Sequence, residues 1–194
     1  EVKIVTKSKS SFSAEPGFTP VFTYPNQTTP VVYMSRMLGV QAHPAVLTTN
    51  PKLVSEVAQA KQKGIKAILC LIGQKELKGQ GVDKELYSKE CAKAGIEFIP
   101  YEVKSMKAPA DEPAVLDEKV INKLVAYTEK GMPVLIHCKN GVGRAGTIVA
   151  CLLLNIGQYS KVADIVSHLR TSRSPKCLQS EEQELYVQKY AQYK

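Results

Sequence analysis

Cys138 and Arg144 stand six positions apart in the stretch VLIHCKNGVGRAGTIVACLLL, residues 134–154, with two glycines between them and apolar runs on either side. A strand ending at the cysteine would deliver its thiol to the carboxyl edge of a sheet, where open α/β folds place their ligand sites. Gly141 and Gly143 let the chain turn successive N–H groups inward, and a helix starting near Ala145 adds its positive dipole end. These parts make an anion cradle. A thiol on its floor is expected to ionise readily, because helix N-termini and cationic neighbours favour the thiolate. Arg144 returns at the far lip, where a planar guanidinium can bind two oxygens of one tetrahedral oxyanion. A phosphate group has that shape and charge.

The spacing gains weight from context. The chain has four arginines, and the other cysteines, Cys70, Cys91, Cys151 and Cys177, are followed at the same interval by Glu76, Glu97, Gly157 and Gln183. Only Cys138 combines the arginine with a preceding histidine, His137, and a position between a strand and a helix.

The elements that must hold this loop follow from periodicity. VVYM (31–34) reads as a short strand. From residue 51, Leu53, Val54, Val57 and Ala58 keep helical spacing up to a stop at Gly64, and AILCLI (67–72) reads as the next strand. A second helix near 83–94 ends at Gly95 before the strand EFIPYEV (97–103). A third carries Leu116, Val120, Leu124 and Val125 on one face, stops at Gly131 and feeds PVLIHC (133–138). This alternation predicts an α/β fold with a central, largely parallel sheet flanked by helices. Residues 145–156 are apolar nearly all round and read as a buried helix. Ser160 is a candidate cap for a helix with Ile165, Val166 and Leu169 inward. SEEQ (180–183) reads as a capping box that opens a terminal helix carrying Leu185 and Tyr190. Residues 1–30 mix Ser, Thr, Pro and Gly without a sustained period and read as an irregular arm of a single domain spanning 1–194.

With the elements in place, HCKNGVGRAG resembles the signature loop of the cysteine-based protein tyrosine and dual-specificity phosphatases, in which HC, five residues and Arg follow one another. ACLLL (150–154) is similar to the run after the loop in small atypical members. LQSEEQELYV (178–187) is similar to the family's later glutamine-bearing segment. The resemblance is strong over 133–190 and looser from 31 onward. It implies a phosphotyrosine-phosphatase-like fold and a hydrolase for phosphotyrosine, with phosphoserine and phosphothreonine as further substrates. Cys138 would attack phosphorus and form a phosphocysteine that water hydrolyses. Arg144 and the amides of Lys139, Asn140, Gly141, Val142, Gly143 and Arg144 would hold the equatorial oxygens. His137 would brace the loop. Asp111, in KAPADEPAV, is the choice for the acid that protonates the leaving oxygen, with Glu112 in reserve, and Gln179 or Gln183 would position the hydrolytic water.

One position departs from the family. Ala145 stands where the family carries a serine or threonine that assists breakdown of the phosphocysteine, and Thr147 lies two residues further on. Turnover limited by dephosphorylation is therefore expected, and a catalytically weak phosphate-binding module is the reading from another class. Lys139, directly after the cysteine, resembles lipid-directed relatives and motivates an inositol phosphate or phosphoinositide as the alternative substrate. The absence of a KNRY substrate loop favours a shallow pocket. Lys104, Lys107 and Lys139 are candidates for its mouth, against the plainer reading of generic exposed lysines. Some relatives protect the nucleophile through a disulfide with a nearby cysteine, a role open to Cys70, although a core thiol is the weightier reading of AILCLI.

Composition adds bounds rather than chemistry. The net charge of +8 favours anionic partners. The lysines are scattered and no aromatic-interleaved basic motif occurs, so a phosphorylated protein or inositol phosphate explains the charge better than nucleic acid. No apolar run has the length of a membrane span. Five cysteines without framework spacing point to reduced thiols and a cytoplasmic setting, with a processed or exported chain left open. With no C-x-x-C pair, neither a metal nor another cofactor is expected.

Overall fold

A computed structural model describes residues 17–41 and 49–194. The first sixteen residues of the expected arm, and His43, to which the sequence assigned nothing, lie outside the described residues. Five strands form one sheet in the order β1-β2-β5-β3-β4. They are β1 (Thr19–Phe22), β2 (Val32–Ser35), β3 (Ala67–Cys70), β4 (Glu97–Pro100) and β5 (Val134–His137). β2, β3 and β5 are buried along their whole length, as parallel strands covered on both faces must be. β5 runs parallel between β2 and β3, with His137 level with Ser35 on one side and Cys70 on the other. The central strand thus carries Cys138 out at the carboxyl edge of the sheet.

Helices α1 (Pro51–Gln62), α2 (Gln74–Lys78) and α3 (Lys84–Ala94) precede β4, α4 (Pro113–Leu116) and α5 (Asn122–Glu129) precede β5, and α6 (Gly143–Ile156), α7 (Val162–Ser172) and α8 (Glu181–Tyr193) close the chain. The starts of the long helices obey capping chemistry. Asn50 accepts from Leu53 N, and Asp83 accepts from Glu85 N and Leu86 N. Gly95 and Gly157 take the left-handed conformation that ends α3 and α6. α6 is buried on every side from Gly143 to Leu154. It packs with α4, α5, α7 and α8 on one face of the sheet, while α1 and α3 cover the other.

Several expectations needed correction. Residues 19–22, assigned to the irregular arm, pair antiparallel with β2, and Pro20 is tolerated because β1 is an edge strand with a register shift beside it. α2 was not expected, being a single turn and a half without a periodic face. Between α4 and α5 a π-helical stretch, Asp117–Ile121, adds a residue to the turn, a device no 3.6-residue pattern displays. It places Asp117 inside, where Tyr190 Oη and Lys194 Nζ donate to its carboxylate. Lys161, not Ser160, occupies the cap of α7. Leu185 stands 54% exposed on α8, whereas Tyr190 is buried.

Candidate active site

The loop after β5 is shaped by where its carbonyls go. His137 Nδ1 reaches Cys138 O at 3.3 Å, Met37 N donates to Lys139 O at 3.1 Å, and Arg173 donates to Asn140 O and Gly141 O at 3.3 and 3.0 Å. Four consecutive carbonyls are therefore tied to groups outside the loop. In a trans peptide the following N–H points the opposite way, so the amides of residues 139–142 turn toward the loop's centre. α6 begins at Gly143 and adds the amides and dipole of its first turn. Gly141, at φ +65°, is obligatory, because a Cβ there would lie 2.0 Å from Ser35 O. Gly143 is less constrained: a Cβ there would lie 2.5 Å from Gln179 Oε1, the tip of an exposed side chain that can move aside. Cys138, 3% exposed, lies at the root of this bowl.

Arg144 is the second residue of α6 and is 5% exposed. Its Nη1 and Nη2 donate to Oε2 and Oε1 of Glu76, each at 2.8 Å, and Nη1 also donates to Val103 O at 3.1 Å. A guanidinium has five N–H groups. Glu76 takes the end-on pair and Val103 the outer N–H of Nη1, which leaves Nε–H and the neighbouring N–H of Nη2 as a side-on fork for a ligand's oxygens. Burial opposes the charge, but Glu76 and Cys138 beside it raise the guanidinium pKa beyond its ordinary value. Hydrogen bonding to Arg144, against the effect of burial, holds the Glu76 carboxyl below the usual glutamate range.

His137 is fully buried. Tyr87 Oη lies 3.0 Å from its Nε2. Since Cys138 O can only accept, Nδ1 carries the proton and Nε2 accepts from the phenol. Burial pushes the imidazole down to about 4, so it is neutral at physiological pH and holds this tautomer.

A tetrahedral-anion cradle with a thiol at its root and a guanidinium at its lip is thus assembled from main chain and three anchoring residues, Met37, His137 and Arg173. A model of the Swiss Army Knife protein DSP-PTPase phosphatase domain, PTP-SAK, matches residues 40–187. The chain belongs to the DSP-PTPase family. It is a cysteine-dependent phosphatase domain. Among solved structures it is similar to kinase associated phosphatase with its catalytic cysteine replaced by serine, at 20% identity and TM-score 0.70 over 84% of this chain and 86% of that one. It is also similar to PTPMT1 in complex with PI(5)P, at 18% identity and TM-score 0.65 over 84% and 91%. A mouse putative dual specificity phosphatase complexed with zinc tungstate matches at 15% identity and TM-score 0.62, covering 96% and 94%. No curated protein sequence matches significantly.

Not every residue nominated from the sequence meets the phosphatase loop. Asp111 turns its carboxylate to Lys119 Nζ, at 2.9 Å, and Tyr101 Oη, at 2.8 Å. These hydrogen bonds, that from Lys119 first, keep the carboxyl below the usual aspartate range. Glu112 is exposed and pairs with Lys189. The segment bearing both is pinned to α8: Glu182 accepts from Lys107 Nζ and Ala108 N, Gln183 Nε2 donates to Lys107 O, and Tyr186 Oη donates to Asp111 O. Among the described residues neither carboxylate has a hydrogen bond or ion pair to residues 137–145.

The glutamines divide. Gln183 is fully buried, its Oε1 accepting from Gln179 N, so Ser180 caps Gln183 N while the reciprocal half of the expected capping box is spent on the neighbouring residue. Gln179 is exposed and points at Gly143. Thr147 donates to Gly143 O at 3.0 Å, inside α6, so its hydroxyl is committed away from Cys138. Lys107 is tied to Glu182, Lys104 is exposed, and Lys139 is partly buried in the loop. Cys70 packs in the cluster on the α1–α3 face and Cys138 in the cluster on the α6 face; both thiols are free and buried, and Cys70 lies level with His137, the residue before Cys138.

Glu76, Tyr87 and Arg173 were missed. Arg173 Nη1 also donates to Gly17 O and Thr19 Oγ1, which ties the loop to the start of β1. Its scarcity was the available signal: in a chain that places 26 cationic residues mostly as lysine, each arginine invites the question of which fork it serves. Glu76 and Tyr87 carried none.

Proposed function

We propose that this domain hydrolyses aryl phosphomonoesters, phosphotyrosine in proteins first among them, through a phosphocysteine on Cys138. The observation that carries the proposal is the set of outward-tied carbonyls of residues 138–141, from which it follows that the amides of 139–142 turn to the inner side of the loop that Cys138 opens. Sγ attacks phosphorus as the P–O ester bond breaks, and the side-on fork of Arg144 and the inward amides stabilise the charge spread over the equatorial oxygens. A phenolate leaves as a weak base, with a conjugate acid near 10, and takes its proton from water at the rim. Water then attacks the phosphocysteine, positioned by Gln179, to release phosphate and restore the thiolate.

The test is hydrolysis of para-nitrophenyl phosphate and a phosphotyrosine peptide by the native chain, Cys138→Ser and Arg144→Lys. Turnover abolished by the first substitution and cut at least about a hundredfold by the second supports the proposal. Equal turnover in all three overturns it. Lys139 favours a second reading, an inositol phosphate substrate. Its charge reaches the Glu76–Arg144 pair at the lip, and PTPMT1 is similar in fold. An inositol phosphate panel run beside the peptides separates the two. Binding of phosphopeptide without turnover would mark a phosphate-recognition module instead.

A further inference from the structure

Two hydrogen bonds fix residues 104–107 across the rim of the loop. Arg144 Nη1 holds Val103 O on one side at 3.1 Å, and Gln183 Nε2 holds Lys107 O on the other at 3.1 Å. Between them Lys107 N donates to Lys104 O at 3.0 Å and closes a tight turn. Its third residue is Met106, at φ +64°. Turns with a positive φ at the third position take glycine there, because a Cβ on an L residue crowds the backbone. Met106 accepts that penalty while leaving 49% of its surface exposed. One helical turn beyond Glu182, which anchors this segment, Leu185 is 54% exposed on α8.

We propose that Met106 is a specificity-determining residue: its thioether packs against the apolar group that carries the phosphate, so the rim selects aryl over polar phosphomonoesters. The inference rests on the phosphatase reading above and names what the rim of that site recognises. Backbone strain concentrates where a residue meets a ligand. Methionine suits the task, being polarisable, adaptable and favourable at the edge of an aromatic ring. The flanking Lys104 and Lys107 would attract the dianion. Met106 would supply the contact that a polar substrate cannot return.

The experiment uses Cys138→Ser protein, which cannot form the phosphocysteine, and measures by calorimetry the affinities for phenyl phosphate and inorganic phosphate. Met106→Gly removes both the side chain and the unfavourable φ, so it should fold and melt at a higher temperature. Met106→Gln keeps length and strain but not the apolar tip. The expected result is a fall of about three- to tenfold in the preference for phenyl phosphate over inorganic phosphate in both variants. No preference in the starting protein, an unchanged preference in both variants, or a fall confined to Met106→Gly overturns the proposal, the last because it would report bulk alone. Turnover of para-nitrophenyl phosphate by the Cys138-bearing chain keeps the two readings apart. Turnover with an unchanged preference removes the role of Met106 only, whereas neither turnover nor binding of either ligand removes the phosphatase reading and this one with it.

Discussion

Both terminal nitrogens of Arg144 are held by one carboxylate, that of Glu76, through two hydrogen bonds of 2.8 Å. The pair fixes which edge of the guanidinium is left open, so on the proposed mechanism Glu76 is a positioning residue that acts through Arg144. Glu76→Gln retains one acceptor and loses the bidentate geometry, while Glu76→Ala leaves a guanidinium that is 5% exposed without its counter-charge. Removing one partner of such a buried pair costs about 3–5 kcal/mol, less here because the Glu76 side chain is 29% exposed. The expected order of kcat/KM on para-nitrophenyl phosphate is native, then Glu76→Gln lower by about tenfold, then Glu76→Ala lower by about a hundredfold. Thermal midpoints should follow the same order. Native kinetics in Glu76→Ala would show that the fork is aimed by the loop alone.

Buried and neutral His137 makes stability depend on pH in a definite window. The unfolded imidazole titrates near 6.5 and the folded one at about 4, chiefly because burial disfavours its charged form. Between these values the unfolded chain binds a proton that the folded chain does not. Stability is therefore full above about 6.5, declines as pH falls, and has lost this contribution, on the order of 3 kcal/mol, below about 4. The depressed carboxyls, Glu76 and Asp111 among them, begin to matter only below their own unfolded values, so the range from 6.5 to 5 isolates the histidine. Tyr87→Phe removes the donor to Nε2 that favours the neutral ring, which should raise the folded value and flatten that part of the curve. Thermal denaturation of both proteins across this range is the measurement, and equal slopes would contradict the assigned tautomer.

Asp111 is the acid expected from its place before a proline and a helix, and its contacts in this structure favour a positioning role instead. Lys119 and Tyr101 hold the carboxylate ionised while Tyr186 holds its carbonyl, which makes it an anchor for the segment that ends in α4. Asp111→Asn should lower kcat on para-nitrophenyl phosphate by less than about threefold and reduce stability by no more than about 1 kcal/mol, as for an exposed pair. A general acid would lose about two to four orders of magnitude, most severely on substrates with poor leaving groups. Comparing nitrophenyl with phenyl phosphate in native and Asp111→Asn protein decides between the two.

The contrast between Cys138 and Asp111 shows which parts of the site the sequence could convey. Cys138, Arg144 and the two glycines are neighbours along the chain, and their spacing alone implies a bowl. α3 was equally plain, because Asp83 and Gly95 bracket its apolar face with a cap and a stop. Glu76 lies on a helix too short to show a period and meets Arg144 across 68 positions. Arg173 reaches the loop from 32 positions away. β1 was hidden by its proline, and the π-helical stretch shifts the phase of a helix whose apolar positions still read as regular. Local chemistry is written in consecutive residues; the anchors that orient it are set by sheet order and helix packing.

Ala145 bears on the second chemical step. Breakdown of a phosphocysteine returns negative charge to Sγ, and a hydroxyl donor beside it would stabilise that charge as it develops. Ala145 is fully buried and offers none, and Thr147 already donates to Gly143 O. The phosphoenzyme should therefore form faster than it decays. Rapid mixing with para-nitrophenyl phosphate is expected to give a burst of nitrophenolate approaching one equivalent, followed by a slower steady state. In Ala145→Ser the added hydroxyl has one more heavy atom to fit but sits at the start of α6, next to the bowl, and should raise the steady-state rate by about tenfold while shrinking the burst. A linear time course in the native chain, with no phosphoenzyme trapped by acid quench, would place the slow step at phosphoryl transfer to sulfur and leave Ala145 without kinetic consequence.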